Sequence, residues 1–284
     1  MPAITKEKAV ATKKPPIKSV ATIKGKAPAK LSGTIWDRLV DVSEVENLLK
    51  VAIYGRSGSG KTRFACSFPK PLLLIGAENG TASIRTDKGI KFIKLEQSSD
   101  LIELESIYDQ FKTIVLDTGT MLQDLILKEI LGLSEIPVQK SWGIATRDQY
   151  SQCGIKTKEF LRRMLEAPTN TVIISQEKEY DVKDALPDLI IPYVGSALQP
   201  STAAWLHPSC DYILQTFVRA KTVERQTKIA NKVQTTFETT TDPEYCLRLA
   251  PHPVYLSKIR IPRGKEINEI MVDPTFEKFE EIVN

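Results

Sequence analysis

Gly55-Arg56-Ser57-Gly58-Ser59-Gly60-Lys61-Thr62 fits the phosphate-binding pattern G-x-x-x-x-G-K-[ST] at every fixed position. The glycines let such a loop curl until its backbone N–H groups point inward at phosphate oxygens. Lys61 would then place a positive charge on the β- and γ-phosphates, and the Thr62 hydroxyl would hold Mg²⁺. The flanks agree. Val51-Ala52-Ile53-Tyr54 reads as a buried strand entering the loop, and Lys61 to Ser67 as a helix leaving it. The octapeptide therefore predicts a nucleoside triphosphate site.

Outward from this loop, apolar strands alternate with helical spacings. Leu72 to Ile75, Ile90 to Leu95, Thr113 to Leu116 and Thr171 to Gln176 read as strands. Asp100 to Gln110, Met121 to Leu131 and Thr146 to Glu166 read as helices. Strands without polar alternation, separated by helices, imply a parallel sheet covered on both faces. The fold class expected is α/β, a P-loop core with a mostly parallel central sheet. A helical lead-in is expected over Trp36 to Lys50, and a long loop over Asp181 to Pro200. Beyond Tyr212 three alternating segments, Tyr212 to Arg219, Lys232 to Thr239 and Tyr255 to Ile261, predict an antiparallel extension over about 212–284.

Charge separates the chain into two parts. Residues 1–30 hold eight lysines and one acid, Glu7, so their +7 exceeds the net +4 of the whole chain. This Lys/Ala/Pro/Thr-rich stretch has no aromatic residue and is expected to be a disordered tail over residues 1–33, ahead of one domain over 34–284. Such an arm can hold a polyanion such as single-stranded DNA by counterion release, or serve only as a solubilising leader. Cys66, Cys153, Cys210 and Cys246 lie far apart, which favours reduced thiols in a cytoplasmic protein over a disulfide framework or a zinc site. His207 and His252 sit beside prolines and are expected in loops. No apolar run is long enough to span a membrane.

A Mg-nucleotide site also needs an acid at the C-terminal edge of a neighbouring strand. Asp117, closing Thr113-Ile114-Val115-Leu116, supplies a Walker B pattern and joins Thr62 as the expected metal residue. Hydrolysis needs a base for water. Thr118 follows Asp117 and cannot act as one, so Glu78, closing the strand Leu72 to Ile75, is the candidate. In Lys258-Ile259-Arg260-Ile261 both basic residues would share one strand face, for which a solvated surface is one reading.

Tyr54 to Thr62, Ile75-Gly76-Ala77-Glu78, Ile114 to Asp117 and Ile174-Ser175-Gln176-Glu177-Lys178 together resemble the phage-encoded AAA-type NTP-binding proteins, some of them RecA-like single-strand annealing recombinases. The resemblance spans about residues 50–220. It implies a RecA-like ATPase using ATP and Mg²⁺, with Glu78 as base and Gln176 as the residue that senses the γ-phosphate. It also implies a homo-oligomer with nucleotide at the subunit interface, where Lys258 and Arg260 would act in trans, and the cytoplasm of a host cell as location. The 181–200 loop would face DNA, yet Asp181, Asp184, Asp188 and the nearby Glu179 outweigh Lys183, and Tyr193 alone offers a stacking surface, which departs from a basic aromatic groove. Two other readings stay open: a nucleotide-gated scaffold or loader with slow hydrolysis, and a small-molecule kinase. For the kinase, Arg162-Arg163 is the only tight arginine pair and falls in a predicted helix rather than a lid.

Overall fold

A computed structural model describes residues 39–41, 47–76, 84–135, 145–180, 193–229 and 232–284; over 224–238 the backbone alone is considered. The expected tail (1–33), Glu78 and most of the acidic loop (181–192) lie outside the described residues.

The elements follow in the order β1 (Lys50–Gly55), α1 (Lys61–Ala65), β2 (Leu72–Gly76), β3 (Ile90–Lys94), α2 (Asp100–Leu104), β4 (Thr113–Asp117), α3 (Gly119–Ile130), α4 (Arg147–Glu166), β5 (Asn170–Glu179), β6 (Val194–Ser196), α5 (Pro200–Ser209), β7 (Tyr212–Ile229), β8 (Lys232–Arg248), β9 (Ile270–Val272) and α6 (Phe276–Val283). Hydrogen bonding orders the strands β3-β2-β4-β5-β1-β7-β8-β9, with β6 paired to the far end of β5. From β3 through to β7 every pairing is parallel, while β7–β8 and β8–β9 are antiparallel. This is the mostly parallel core with an antiparallel C-terminal extension that the sequence predicts.

Period-two alternation splits β1 between two cores. Val51 and Ile53 face Phe64 and Phe68 from the α1 region and Phe276 and Phe279 of α6. Ala52 and Tyr54 face the layer built by α2, α3, α4 and α5, including Leu122, Leu161 and Leu206. Because β1 lies between β5 and β7, its C-terminal end and the loop that follows sit in the middle of the sheet edge.

Several expectations are corrected. The lead-in helix does not extend to Lys50: Asn47, Leu48 and Leu49 are non-helical and Lys50 opens β1. The reason is local, since the Leu49 N–H is held by the Asn170 side chain at 2.9 Å and Lys50 is in register with Thr171. The Asp100 to Gln110 helix is α only to Leu104 and continues as a 3₁₀ turn over Glu105–Gln110. β6 and the start of α5 occupy the end of the stretch read as loop. Tyr255 to Ile261 is not a strand; it makes only single bridges, Tyr255 to Val194 and Lys258 to Ile213. At Ile213 the outer edge of β7 is open because β8 ends at Arg248, opposite Gln215, so one residue fits and no ladder can grow. The strand that pairs with β8 is Ile270–Val272. His207 lies within α5, not in a loop. His252 does sit in a loop, where Nδ1 accepts the N–H groups of Val254 and Tyr255.

β7 pairs with β1 only over Tyr212–Thr216; beyond it β7 and β8 continue as a two-stranded ribbon to the pair Ile229–Lys232, with one register shift between Ala220 and Thr222. All four cysteines are free and buried. Among the described residues no helix is long and apolar enough to cross a membrane.

Candidate functional site

The loop leaving β1 turns through two residues of positive φ, Gly58 (78°) and Gly60 (88°), a region closed to most side chains. Gly55 answers a different demand. A Cβ there would meet the Thr216 carbonyl oxygen at 2.3 Å, so only glycine lets β7 pair this closely beside the loop. The Ser59 hydroxyl bonds the Arg56 carbonyl (2.8 Å) and the Thr216 hydroxyl (2.6 Å), fastening the loop to β7.

Lys61, 7% exposed, folds back under the loop. Its Nζ donates to the carbonyls of Gly55 (2.8 Å) and Arg56 (2.7 Å) and to Gln176 Oε1 (3.4 Å). Burial pushes the ammonium below the ordinary lysine value, against the pull of Asp117 and Glu177. Thr62 Oγ1 donates to Asp117 Oδ2 at 2.6 Å. Burial lifts the Asp117 carboxyl above its ordinary value, with the Thr62 hydrogen bond and the Lys61 charge opposing. Parallel register explains the meeting: β1 and β4 both end at the same sheet edge, with β5 between them. Gln176 closes that gap, its N–H held by the Thr120 hydroxyl at 3.2 Å.

These residues line a cleft of about 590 Å³ that runs from Phe92, Thr86 and Asp87 past Asp117 and Gln176 to Arg63 and Tyr245. The structure thus brings together Lys61, Thr62, Asp117 and Gln176. The donor set fits a magnesium–triphosphate: a hydroxyl and a carboxylate supply hard oxygen ligands, and a buried cation sits beside a glycine loop with open space where a Gly58 side chain would stand.

Lys258 and Arg260 lie elsewhere in the chain's own fold. Lys258 Nζ donates to the carbonyls of His207 (3.2 Å), Pro208 (3.4 Å) and Cys210 (2.6 Å), closing the C-terminal end of α5. Arg260 pairs with Asp211 at 2.5 Å. Asp211 hydrogen-bonds to the Lys50 carbonyl, at the entry of β1, so both side chains are held at the sheet edge opposite the cleft.

The family comparison agrees with this geometry. A family model for the AAA domain matches residues 47–261. The chain belongs to the AAA domain family. No curated protein matches it. Among solved structures, a KaiC-like protein from Pyrococcus horikoshii OT3 aligns over 79% of this chain and 88% of its own at 12% identity and a TM-score of 0.35. The flagellar accessory protein FlaH from Methanocaldococcus jannaschii aligns over 80% and 91% at 8% identity and a TM-score of 0.31. This AAA domain has a P-loop NTPase fold with a mostly parallel central sheet.

Sequence reasoning missed a polar chain beside the loop. Arg56 Nε pairs with Glu177 (3.2 Å), whose other oxygen accepts from Gln215 Nε2 (2.8 Å); Gln215 Oε1 accepts from Arg248 Nε (3.1 Å), and Arg248 pairs with Glu269. Gln215 and Arg248 are buried, so each needs the other's polar atoms. A polar residue in the otherwise apolar start of β7 was the one signal available. Tyr245 had none.

Proposed function

We propose that this protein hydrolyses ATP with Mg²⁺ and works with single-stranded DNA in phage recombination or replication. What carries the hydrolase reading is one observation: Thr62 Oγ1 and Asp117 Oδ2 lie 2.6 Å apart, one residue along from the buried Lys61 ammonium. Thr62 and Asp117 would hold the metal, which neutralises charge on the phosphates when bound. Lys61, already desolvated, needs only to exchange the Gly55 and Arg56 carbonyls for phosphate oxygens. Gln176 touches Lys61 and stands where a terminal phosphate would end, so it can register whether that phosphate is present. Glu78 follows β2, the strand next to β4, and takes the role of base by resemblance.

The DNA part of the proposal rests on the family resemblance and on the lysines of residues 1–30. Lys258 and Arg260 are not needed in it, since both are engaged within their own chain.

The test is phosphate release from ATP by the full chain in Mg²⁺ and in EDTA, each with and without single-stranded DNA. Metal-dependent release that rises with DNA supports the whole reading. Release unaffected by DNA removes its DNA half, and binding of ATP without release leaves a nucleotide-gated scaffold in its place.

A further inference from the structure

The cleft has a side chamber of about 110 Å³, bounded by Gly60, Arg63, Tyr245, Asp273, Pro274 and Thr275. Gly60, Arg63 and Tyr245 line the main cleft as well, so the two spaces adjoin at these residues. Resting on the nucleotide reading above, we propose that this chamber takes the nucleobase and that Tyr245 is its stacking platform.

Direction along the loop decides the placement. Lys61 Nζ sits over the carbonyls of Gly55 and Arg56, the first residues of the loop, and touches Gln176 on β5. Asp117, the metal residue, lies one strand further toward β3. The terminal phosphate therefore belongs on the β5–β4 side of β1. The opposite, nucleoside end leaves past Gly60 and Arg63 on the β7–β8–β9 side, where the chamber opens. Phe92 is the other exposed aromatic ring of the cleft, but it lies on β3, beyond the metal residue and at the wrong end.

Tyr245 suits the role. Its side chain is over a third exposed, unlike the buried residues around it on β8, Cys246 to Arg248. It stands at the loop itself: a Cβ on Gly60 would meet the ring at 3.3 Å. Its backbone is fixed, because its carbonyl accepts the Asp273 N–H at 2.8 Å where β9 ends. The facing wall is fixed too. Lys278 Nζ bonds the Asp273 carbonyl (2.8 Å), the Thr275 hydroxyl caps α6, and the Phe276 N–H bonds the Ser67 hydroxyl behind α1 (2.8 Å). A rigid ring between a phosphate loop and an exposed arginine offers a flat base a stacking face, and every base has a π-face to give.

The experiment compares binding of ATP, GTP and inorganic tripolyphosphate, each with Mg²⁺, to the full chain and to Tyr245→Ala and Tyr245→Phe. Stacking of one base on an aromatic ring corresponds to about a 5- to 150-fold change in affinity. Tyr245→Ala should lose that factor for ATP and GTP while keeping tripolyphosphate affinity, and Tyr245→Phe should bind all three as the parent does. Unchanged nucleotide affinity in Tyr245→Ala would overturn the proposal. So would an equal loss for tripolyphosphate, which would make Tyr245 a support for the loop. If the parent chain binds neither tripolyphosphate nor ATP, the nucleotide reading itself fails.

Discussion

Replacing Lys61 with methionine removes the ammonium and keeps most of the side-chain volume. The free protein should tolerate the change. The carbonyls of Gly55 and Arg56 lose a donor, but Arg56 is exposed and its carbonyl keeps the Ser59 hydroxyl and N–H, and the desolvation that depresses the Lys61 ammonium disappears with it. These opposing terms should leave the unfolding free energy within about 1 kcal/mol of the parent. Nucleotide binding should change far more. A hydrogen bond to a charged partner contributes about 1.5–3 kcal/mol, so loss of one lysine–phosphate contact should raise Kd by roughly 10- to 150-fold. Titration calorimetry with Mg-ATP measures that number, and urea unfolding supplies the control. The pH dependence gives a second signature. Because burial lowers the Lys61 value in the free protein, the charged form that phosphate requires is lost earlier than for an ordinary lysine as pH rises. Affinity should weaken on the alkaline side in the parent and stay flat there in Lys61→Met. An unchanged Kd in Lys61→Met would refute the phosphate assignment of this side chain.

Phe279→Ala should cost about 3–5 kcal/mol in urea unfolding, because its ring is fully buried against Phe64 (centroids 6.0 Å apart) and Tyr212 (5.2 Å); a change under 1 kcal/mol would remove α6 from the core. Lys258→Ala should lower stability by about 1–3 kcal/mol through the orphaned carbonyls at the end of α5 while leaving ATP turnover at the parental rate, and loss of turnover with unchanged stability would instead favour a role in trans. His207 is pushed down from 6.5 to about 4 by burial, with Lys258 adding to the effect. The unfolded chain takes up this proton as pH falls below about 6.5 and the native one does not until about 4, so stability drains away across that window, by about 3 kcal/mol at its acid end. His207→Leu should flatten the acid limb of a stability–pH curve, and an unaltered limb would show that the imidazole is solvated.

What was legible in the sequence was local in the chain. The octapeptide from Gly55 to Thr62, the apolar strands and Asp117 each announce themselves within a few residues, and register at a parallel sheet edge then forces them together. The contacts of Arg56, Glu177, Gln215 and Arg248 join four separate stretches, and no periodicity reports them. The strand expected over Tyr255 to Ile261 failed for the same reason: alternation proposes a strand, but whether an edge is free for it depends on where β8 stops. α6 was readable and was passed over. Phe276, Phe279 and Val283 repeat at helical spacing after a Thr275 cap. His207 looked like a loop residue because Pro208 follows it, yet α5 runs through Pro208 to Ser209, forgoing the one hydrogen bond a residue there would donate to the Ala204 carbonyl.

The central place of β1 has a consequence for how the protein is made. Its neighbours are β5 and β7, in register from Thr171 and from Tyr212. While the ribosome is still adding those segments, Val51 to Tyr54 is an apolar strand with two unpaired edges, the kind of segment that pairs with other copies of itself. The phosphate loop meanwhile lacks Gln176, Thr216 and Tyr245, each of which touches or borders it only in the finished fold. The first element of the site to be synthesised is thus the last to be secured, and an early stop or a slow stretch of translation exposes its stickiest strand.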